Sequence, residues 1–171
     1  MTASSLRVVL GPAAMAAAGS LDRHVAGLRA RGIAAEAIDL PRGRAERAAP
    51  VFAALAAPDV VAGGQSFGGR AASLAAAEAG TELAGLLLFG FPLSGRAEER
   101  TAHFPRIRCP VLVLNGEADE LSPIGVLRER VALLPEGRLL SFPRQGHALK
   151  GRALEEALDA AADFVRTLVT R

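Results

Sequence analysis

Ser66 stands in Gly63-Gly64-Gln65-Ser66-Phe67-Gly68-Gly69, with a glycine two places before it and two places after it. When a Gly-x-Ser-x-Gly run ends a strand and opens a helix, the serine sits on a sharp, strained turn and its hydroxyl is lifted clear of the chain. The small residues at Gly64 and Gly68 let strand and helix approach closely. The N–H groups at the head of the helix favour negative charge beside the hydroxyl. A serine so placed becomes a nucleophile when a base takes its proton and a carboxylate fixes the tautomer of that base. The same seven residues also suit a plain glycine-rich turn, so the context must decide. No Gly-Lys-Ser/Thr follows, which excludes a phosphate-binding loop of the P-loop kind.

The chain has three histidines to offer as base. His24 falls among polar neighbours inside a helical pattern and reads as a solvated face residue. His103 and Arg100 lie in the connection 91–109; both can face a site, but a solvent-facing role is favoured. His147 follows the last apolar run in the turn-rich Pro143-Arg144-Gln145-Gly146-His147 and is the candidate base. The candidate acids are Glu117, Asp119 and Glu120, in the loop after PVLVLNG, where three carboxylates so close together also suit an exposed loop. An order of serine, then acid, then histidine along the chain matches one known arrangement of a nucleophile and its partners, with Ser66, Asp119 and His147 in the three places.

The elements that must position these residues are legible as alternation. Apolar runs occur at 6–10, 33–40, 59–64, 83–90, 110–116 and 137–143, mostly without the polar breaks of a half-exposed sheet. Between them lie helical patterns: one over Leu21 to Arg31, capped by Ser20 and stopped by Gly32; one over Phe67 to Ala79, ended by Gly80; one opened by Ser122-Pro123; and a C-terminal one with Leu154, Leu158, Ala161, Val165 and Leu168 on one stripe. The stretch from Arg42 to Ala57 is ambiguous because Pro50 interrupts it. Strand–helix alternation of this kind predicts a single α/β domain over 1–171, with a mainly parallel sheet of about six strands and helices on both faces. Loops at the carboxyl ends of the strands then carry any site, and the three candidates fall on such loops.

Composition removes several function classes. A formal charge of +2, with nineteen arginines scattered and Lys150 the sole lysine, does not form the basic stripe of a nucleic-acid binder. Hydrophobic residues make up 50% of the chain, which suits a packed core and argues against disorder. No apolar run approaches the length of a membrane span. Met1 to Gly19 superficially imitates a secretion signal, but Gly11-Pro12 breaks it and Leu6 to Leu10 is expected as a central strand. The single cysteine, Cys109, excludes an internal disulfide, suits a reducing compartment and reads as a small buried hydrophobe, so the expected location is the cytoplasm. No metal-ligand cluster or cofactor motif is present, and no cofactor is expected. The oligomeric state is not legible.

Four segments carry a family resemblance: GGQSFGGRAAS (63–73), LLLFGFPL (86–93), RTAHFPRIRCPVLVLNGEADELSP (100–123) and QGHALKG (145–151). In these the chain resembles the α/β-hydrolase superfamily, and more narrowly its compact, dienelactone-hydrolase-like bacterial group. Some eukaryotic relatives of that group serve as assembly components. The resemblance implies a three-layer fold without a lid domain and a triad of Ser66, Asp119 and His147. It also implies a first oxyanion donor at the Phe67 N–H, beside the elbow residues Gly64, Gln65 and Gly68. Where the family carries a His-Gly-x-Gly-like turn after its first strand, this chain has Gly11-Pro12-Ala13-Ala14-Met15. Pro12 has no N–H, so the second donor falls to Ala13, or less favourably to Ala14. With only Phe91 to Cys109 in the place of a lid, the expected site is shallow, lined by Phe67, Met15, Phe91, Leu93, Leu121 and Leu149. Arg70, one turn beyond Ser66, is expected to pair with a surface acid. Two functions follow as expectations: a serine hydrolase for a small or exposed carboxylic ester or thioester, and, alternatively, a weak or inactive hydrolase fold kept for binding.

Overall fold

The computed structural model describes residues 6–170; the first residues of the signal-like segment, Met1 to Ser5, lie outside them. Six strands, β1 (Arg7–Gly11), β2 (Ala34–Ala37), β3 (Val60–Gln65), β4 (Gly85–Phe89), β5 (Val111–Gly116) and β6 (Gly137–Phe142), form one sheet in the order β2-β1-β3-β4-β5-β6. Every pairing is parallel. The continuously apolar runs become the inner strands: β1, β3, β4 and β5 are almost wholly buried. The edge strands are the weaker sequences. β2 is an alanine-rich stretch shorter than the 33–40 run, since Asp39 leaves the ladder to accept a hydrogen bond from the Ala18 N–H at 2.8 Å and Pro41 follows.

Alternation along the strands divides the core into two layers. Val9, Val60, Ala62, Leu86, Leu88 and Val113 face α2 (Ala45–Leu55), α3 (Phe67–Ala76) and α5 (Ile124–Val131). Val8, Leu10, Val61, Leu87, Leu112 and Leu114 face α1 (Asp22–Ala30) and α6 (Gly151–Leu168). The expected C-terminal stripe is present, with Leu154, Ala157, Leu158, Ala161, Ala162 and Val165 buried. The ambiguous stretch is a helix. Pro50 sits on the exposed side of α2, away from the buried Ala45, Ala48 and Phe52, so its missing N–H falls on the water side.

Two expected caps are not caps. Ser20 lies in a 3-10 turn (Ala18–Leu21) and its Oγ donates to the Ala17 carbonyl at 2.7 Å, leaving Leu21 at the helix boundary. Ser122 is fully buried and its Oγ donates to the Phe91 carbonyl, so it ties two loops together, and Pro123 stands at the head of α5.

β1 and β3 are neighbours, yet the chain leaves β1 toward β2 and leaves β3 toward β4. That divergence opens the crevice at the carboxyl ends of the two strands, the place where α/β sheets carry ligands. The connection from β4 to β5 holds only α4 (Ala97–Thr101) and a 3-10 turn (Phe104–Arg106), and no lid domain is inserted.

Candidate active site

Ser66 follows the last residue of β3 and precedes the first of α3. Its backbone has φ 52 and ψ −112, a conformation that costs a side-chain-bearing residue about 1–3 kcal/mol. Surrounding bonds hold it there: the Ser66 N–H donates to the Phe89 carbonyl at 2.9 Å, and the Arg70 N–H donates to the Ser66 carbonyl at 3.0 Å. The glycines allow the turn because β1 passes directly beneath it. A Cβ at Gly64 or at Gly68 would lie 2.0 Å from the Gly11 carbonyl oxygen, far inside contact distance. Ser66 does not use its hydroxyl to cap α3, so Oγ is free for another partner.

That partner is His147, whose Nε2 lies 2.7 Å from Ser66 Oγ. The other ring nitrogen, Nδ1, lies 2.8 Å from Asp119 Oδ2. The Asp119 side chain is wholly buried and that of His147 is 28% exposed, so the chain of hydrogen bonds runs from the interior to an accessible rim. Asp119 is held on both oxygens. Its Oδ1 accepts from the Leu121 N–H at 2.9 Å, and its Oδ2 accepts from Asn115 Nδ2 at 3.1 Å. An ionised carboxylate can only accept, so Nδ1 of His147 is the donor and Nε2 turns its lone pair to the Ser66 hydroxyl. Glu117, also a candidate acid, instead accepts from Ser141 Oγ at 2.7 Å on the exposed edge.

The loop carrying His147 leans on the ends of the strands. Gln65 Nε2 donates to the His147 carbonyl at 3.1 Å, and the Ala118 N–H donates to the Gln145 carbonyl at 2.8 Å. A Cβ at Gly90 would stand 2.4 Å from the His147 carbonyl oxygen, and one at Gly116 would stand 2.2 Å from that of Gln145. These contacts seat the imidazole from the backbone side. Asn115 is not among the residues named from the sequence, and its one signal there is a lone amide near the end of the apolar run PVLVLNG. Fully buried, it also accepts the Phe91 N–H at 3.0 Å and so fixes the loop after β4 to the acid.

Phe67 and the turn after β1 border the serine. The Ala16 N–H donates to the Ala13 carbonyl at 3.1 Å, and Met15 has φ 63, so Ala13 to Ala16 form a tight turn. Ser66, Phe67 and Ala14 line one cavity of about 470 Å³; Phe67, Ala13, Ala14 and Met15 line a second of about 480 Å³. Of the expected lining residues, Leu121 borders the first cavity and Met15 the second. Phe91, Leu93 and Leu149 line neither. Phe91 and Leu93 are packed into the layer beneath α3 and α5, and Leu149 into the layer beneath α6, because the apolar chain after β4 and the His147 loop turn inward.

Two histidines depart from expectation, and Arg70 meets its expected acid from a buried position. His103 is buried, with Nε2 2.7 Å from Ser73 Oγ, and burial, aided by the charges of Arg70 and Arg106, lowers its pKa to about 4. His24 stacks edge-on against Phe89, and burial lowers its pKa to about 4 as well. Arg70 does meet an acid, Glu46 at 2.9 Å, but its own side chain is 9% exposed and lies in the wall of the Ser66 cavity. Cys109 is half-buried, and burial pushes its thiol up to about 11, which suits an inert side chain. Among the described residues no group of three or more acidic, histidine or cysteine side chains could hold a metal ion, and no helix is long and apolar enough to cross a membrane.

A parallel sheet with helices on both faces, a serine on a strained turn at its switch point, and a histidine and aspartate brought to it from two later loops define the α/β-hydrolase architecture. The chain belongs to that family: the model of an alpha/beta hydrolase domain matches residues 42–167. No curated protein sequence matches the chain. Known structures share the fold at low identity. A monoacylglycerol lipase from Paleococcus ferrophilus is 16% identical at a TM-score of 0.80, over 95% of this chain and 94% of that one. A dienelactone hydrolase from Anabaena variabilis is 22% identical at a TM-score of 0.76, over 95% and 86% of the two chains. A propionate-bound esterase from Thermogutta terrifontis is 15% identical at a TM-score of 0.77, over 96% and 84%.

Proposed function

We propose that the chain is a serine hydrolase that cleaves a small or exposed carboxylic ester or thioester through an acyl-enzyme. The observation that carries this reading is the unbroken hydrogen-bonded path from Ser66 through His147 to Asp119, with 2.7 and 2.8 Å links. Ser66 Oγ attacks the acyl carbon as His147 Nε2 takes its proton, and Asp119 holds the imidazole and stabilises its charge. The negative charge formed on the acyl oxygen is met by the Phe67 N–H and by an N–H of the turn, Ala13 or Ala14. His147 returns the proton to the departing alkoxide or thiolate. A water then attacks the acyl-enzyme, giving a proton to His147, and collapse releases the acid and restores Ser66. No cofactor, nucleic acid or membrane enters this cycle, and a reducing cytoplasm suits the single thiol.

Labelling by a fluorophosphonate probe tests the reading. The folded protein is expected to be labelled at one serine, with labelling lost in Ser66→Ala and suppressed in His147→Ala, and to hydrolyse members of a short-chain ester and thioester panel. A folded protein that is neither labelled nor active at any pH from about 6 to 9 overturns it in favour of a binding role.

A further inference from the structure

Beyond Ser66 itself, its cavity has an uneven electrical lining. Four arginines, Arg44, Arg70, Arg96 and Arg100, face two carboxylates, Glu46 and Glu99. Arg70 is paired with Glu46 at 2.9 Å and Arg96 with Glu99 at 3.7 Å. Arg44 is exposed at the rim, where water solvates it. Arg100 is different. It is half-buried, and among the described residues its side chain's hydrogen bond runs from Nη1 to the Pro92 carbonyl at 3.4 Å. Burial, then the neighbouring charges of Arg70 and Arg96, weaken its hold on the proton against a lesser opposing pull from Glu99 and Glu46, neither of which is ion-paired to it. Behind it Arg70 keeps a buried Nε with no hydrogen-bond partner among the described residues. A guanidinium partly removed from water, beside like charges and without a carboxylate of its own, is stabilised by an anion delivered from outside. Its planar fork fits a carboxylate.

Resting on the reading of Ser66 as nucleophile, we propose that the substrate is an ester bearing a carboxylate on its acyl or alcohol part, and that Arg100, backed by Arg70, binds that carboxylate. The second cavity, which shares Ala14, Gly43 and Phe67 with the first, takes the uncharged half. With Arg70 on Glu46, Arg96 on Glu99 and Arg44 out in water, Arg100 is the half-buried charge of the wall that has no ion pair among the described residues, which matches a single carboxylate.

Two matched pairs of esters test this. Mono-p-nitrophenyl adipate and p-nitrophenyl hexanoate share chain length and leaving group and differ by a carboxylate on the acyl side. The anion p-acetoxybenzoate and p-tolyl acetate form the corresponding pair on the alcohol side. In at least one pair the anionic member is expected to show kcat/KM about tenfold or more above the neutral one, an advantage that shrinks as salt is raised. The ratio should fall below about twofold in Arg100→Gln and return in part in Arg100→Lys. No preference in either pair, or a preference undiminished in Arg100→Gln, overturns the inference while Ser66-dependent hydrolysis of the neutral esters leaves the hydrolase reading intact. If no ester is cleaved, that reading fails, and calorimetry decides the carboxylate site alone. Monomethyl adipate binding more tightly than methyl hexanoate, with the difference lost in Arg100→Gln, supports it; equal binding sinks it.

Discussion

In the proposed mechanism His147 serves Ser66 only in one tautomer, and Asp119 imposes it. Both carboxylate oxygens already accept from Leu121 and Asn115, so the aspartate cannot rotate away without breaking buried bonds. Asp119→Asn would replace the acceptor toward His147 Nδ1 with a group that can donate, turning Nε2–H toward the serine. In the proposed mechanism kcat for a short-chain ester should then fall on the order of 10⁴-fold, with near-native circular dichroism. A variant retaining a tenth of the native rate would remove Asp119 from that role. At this scale the sequence was readable where chemistry and local spacing coincide: Ser66 between glycines, His147 in its loop. It carries only a weak signal for Asn115, whose bonds to Asp119 and Phe91 come from what lies opposite it across the sheet edge. His103 and His24 were misread because polar neighbours along the chain say nothing of the helix or strand that covers a side chain in space.

The element that sets the site's precision is the β3–α3 turn over β1. Gly68→Ala would push a methyl group into the Gly11 backbone, which has no flexible end to give way. The clash should therefore outweigh the roughly 1 kcal/mol by which alanine normally favours a helix over glycine, leaving a net cost on the order of 2 kcal/mol or more in urea unfolding. Loss of fluorophosphonate labelling should accompany it. An alanine variant as stable as the native protein would show that β1 and α3 are not in the close contact described. The strands themselves were legible because the inner four are apolar throughout, whereas the ends of β2 and the caps of α1 and α5 were not. Asp39 and Ser122 each bond to an N–H or carbonyl of a distant turn or loop, a choice that local preference does not encode, and Ser20 bonds back to Ala17 in its own 3-10 turn.

For the molecule as a whole, the buried His103 and the half-buried His24 tie stability to acidity. His24 and His103 have pKa values lowered to about 4 in the fold, against 6.5 when exposed. Unfolding therefore takes up protons below pH 6.5, and stability should decline as pH falls from about 6.5 to about 4, then lose nothing further from these groups. Each contributes at most on the order of 3 kcal/mol across that window. Urea midpoints at pH 7 and pH 5 check this: the double variant His24→Leu, His103→Gln should show a clearly flatter dependence, and an unchanged slope would assign the acid sensitivity elsewhere.

The connection between β4 and β5 is short: it walls one side of the Ser66 cavity with Pro92, Ser94, Arg96, Glu99 and Arg100 and inserts no lid domain over it. In the proposed reaction bulk water is then the second reactant at full concentration from the instant the leaving group departs. Discrimination among substrates is confined to the first half of the cycle, and an acyl group once captured is discharged to solvent before a scarcer acceptor arrives. A body plan this small favours turnover by breakdown, with no shelter in which a captured group could wait for transfer.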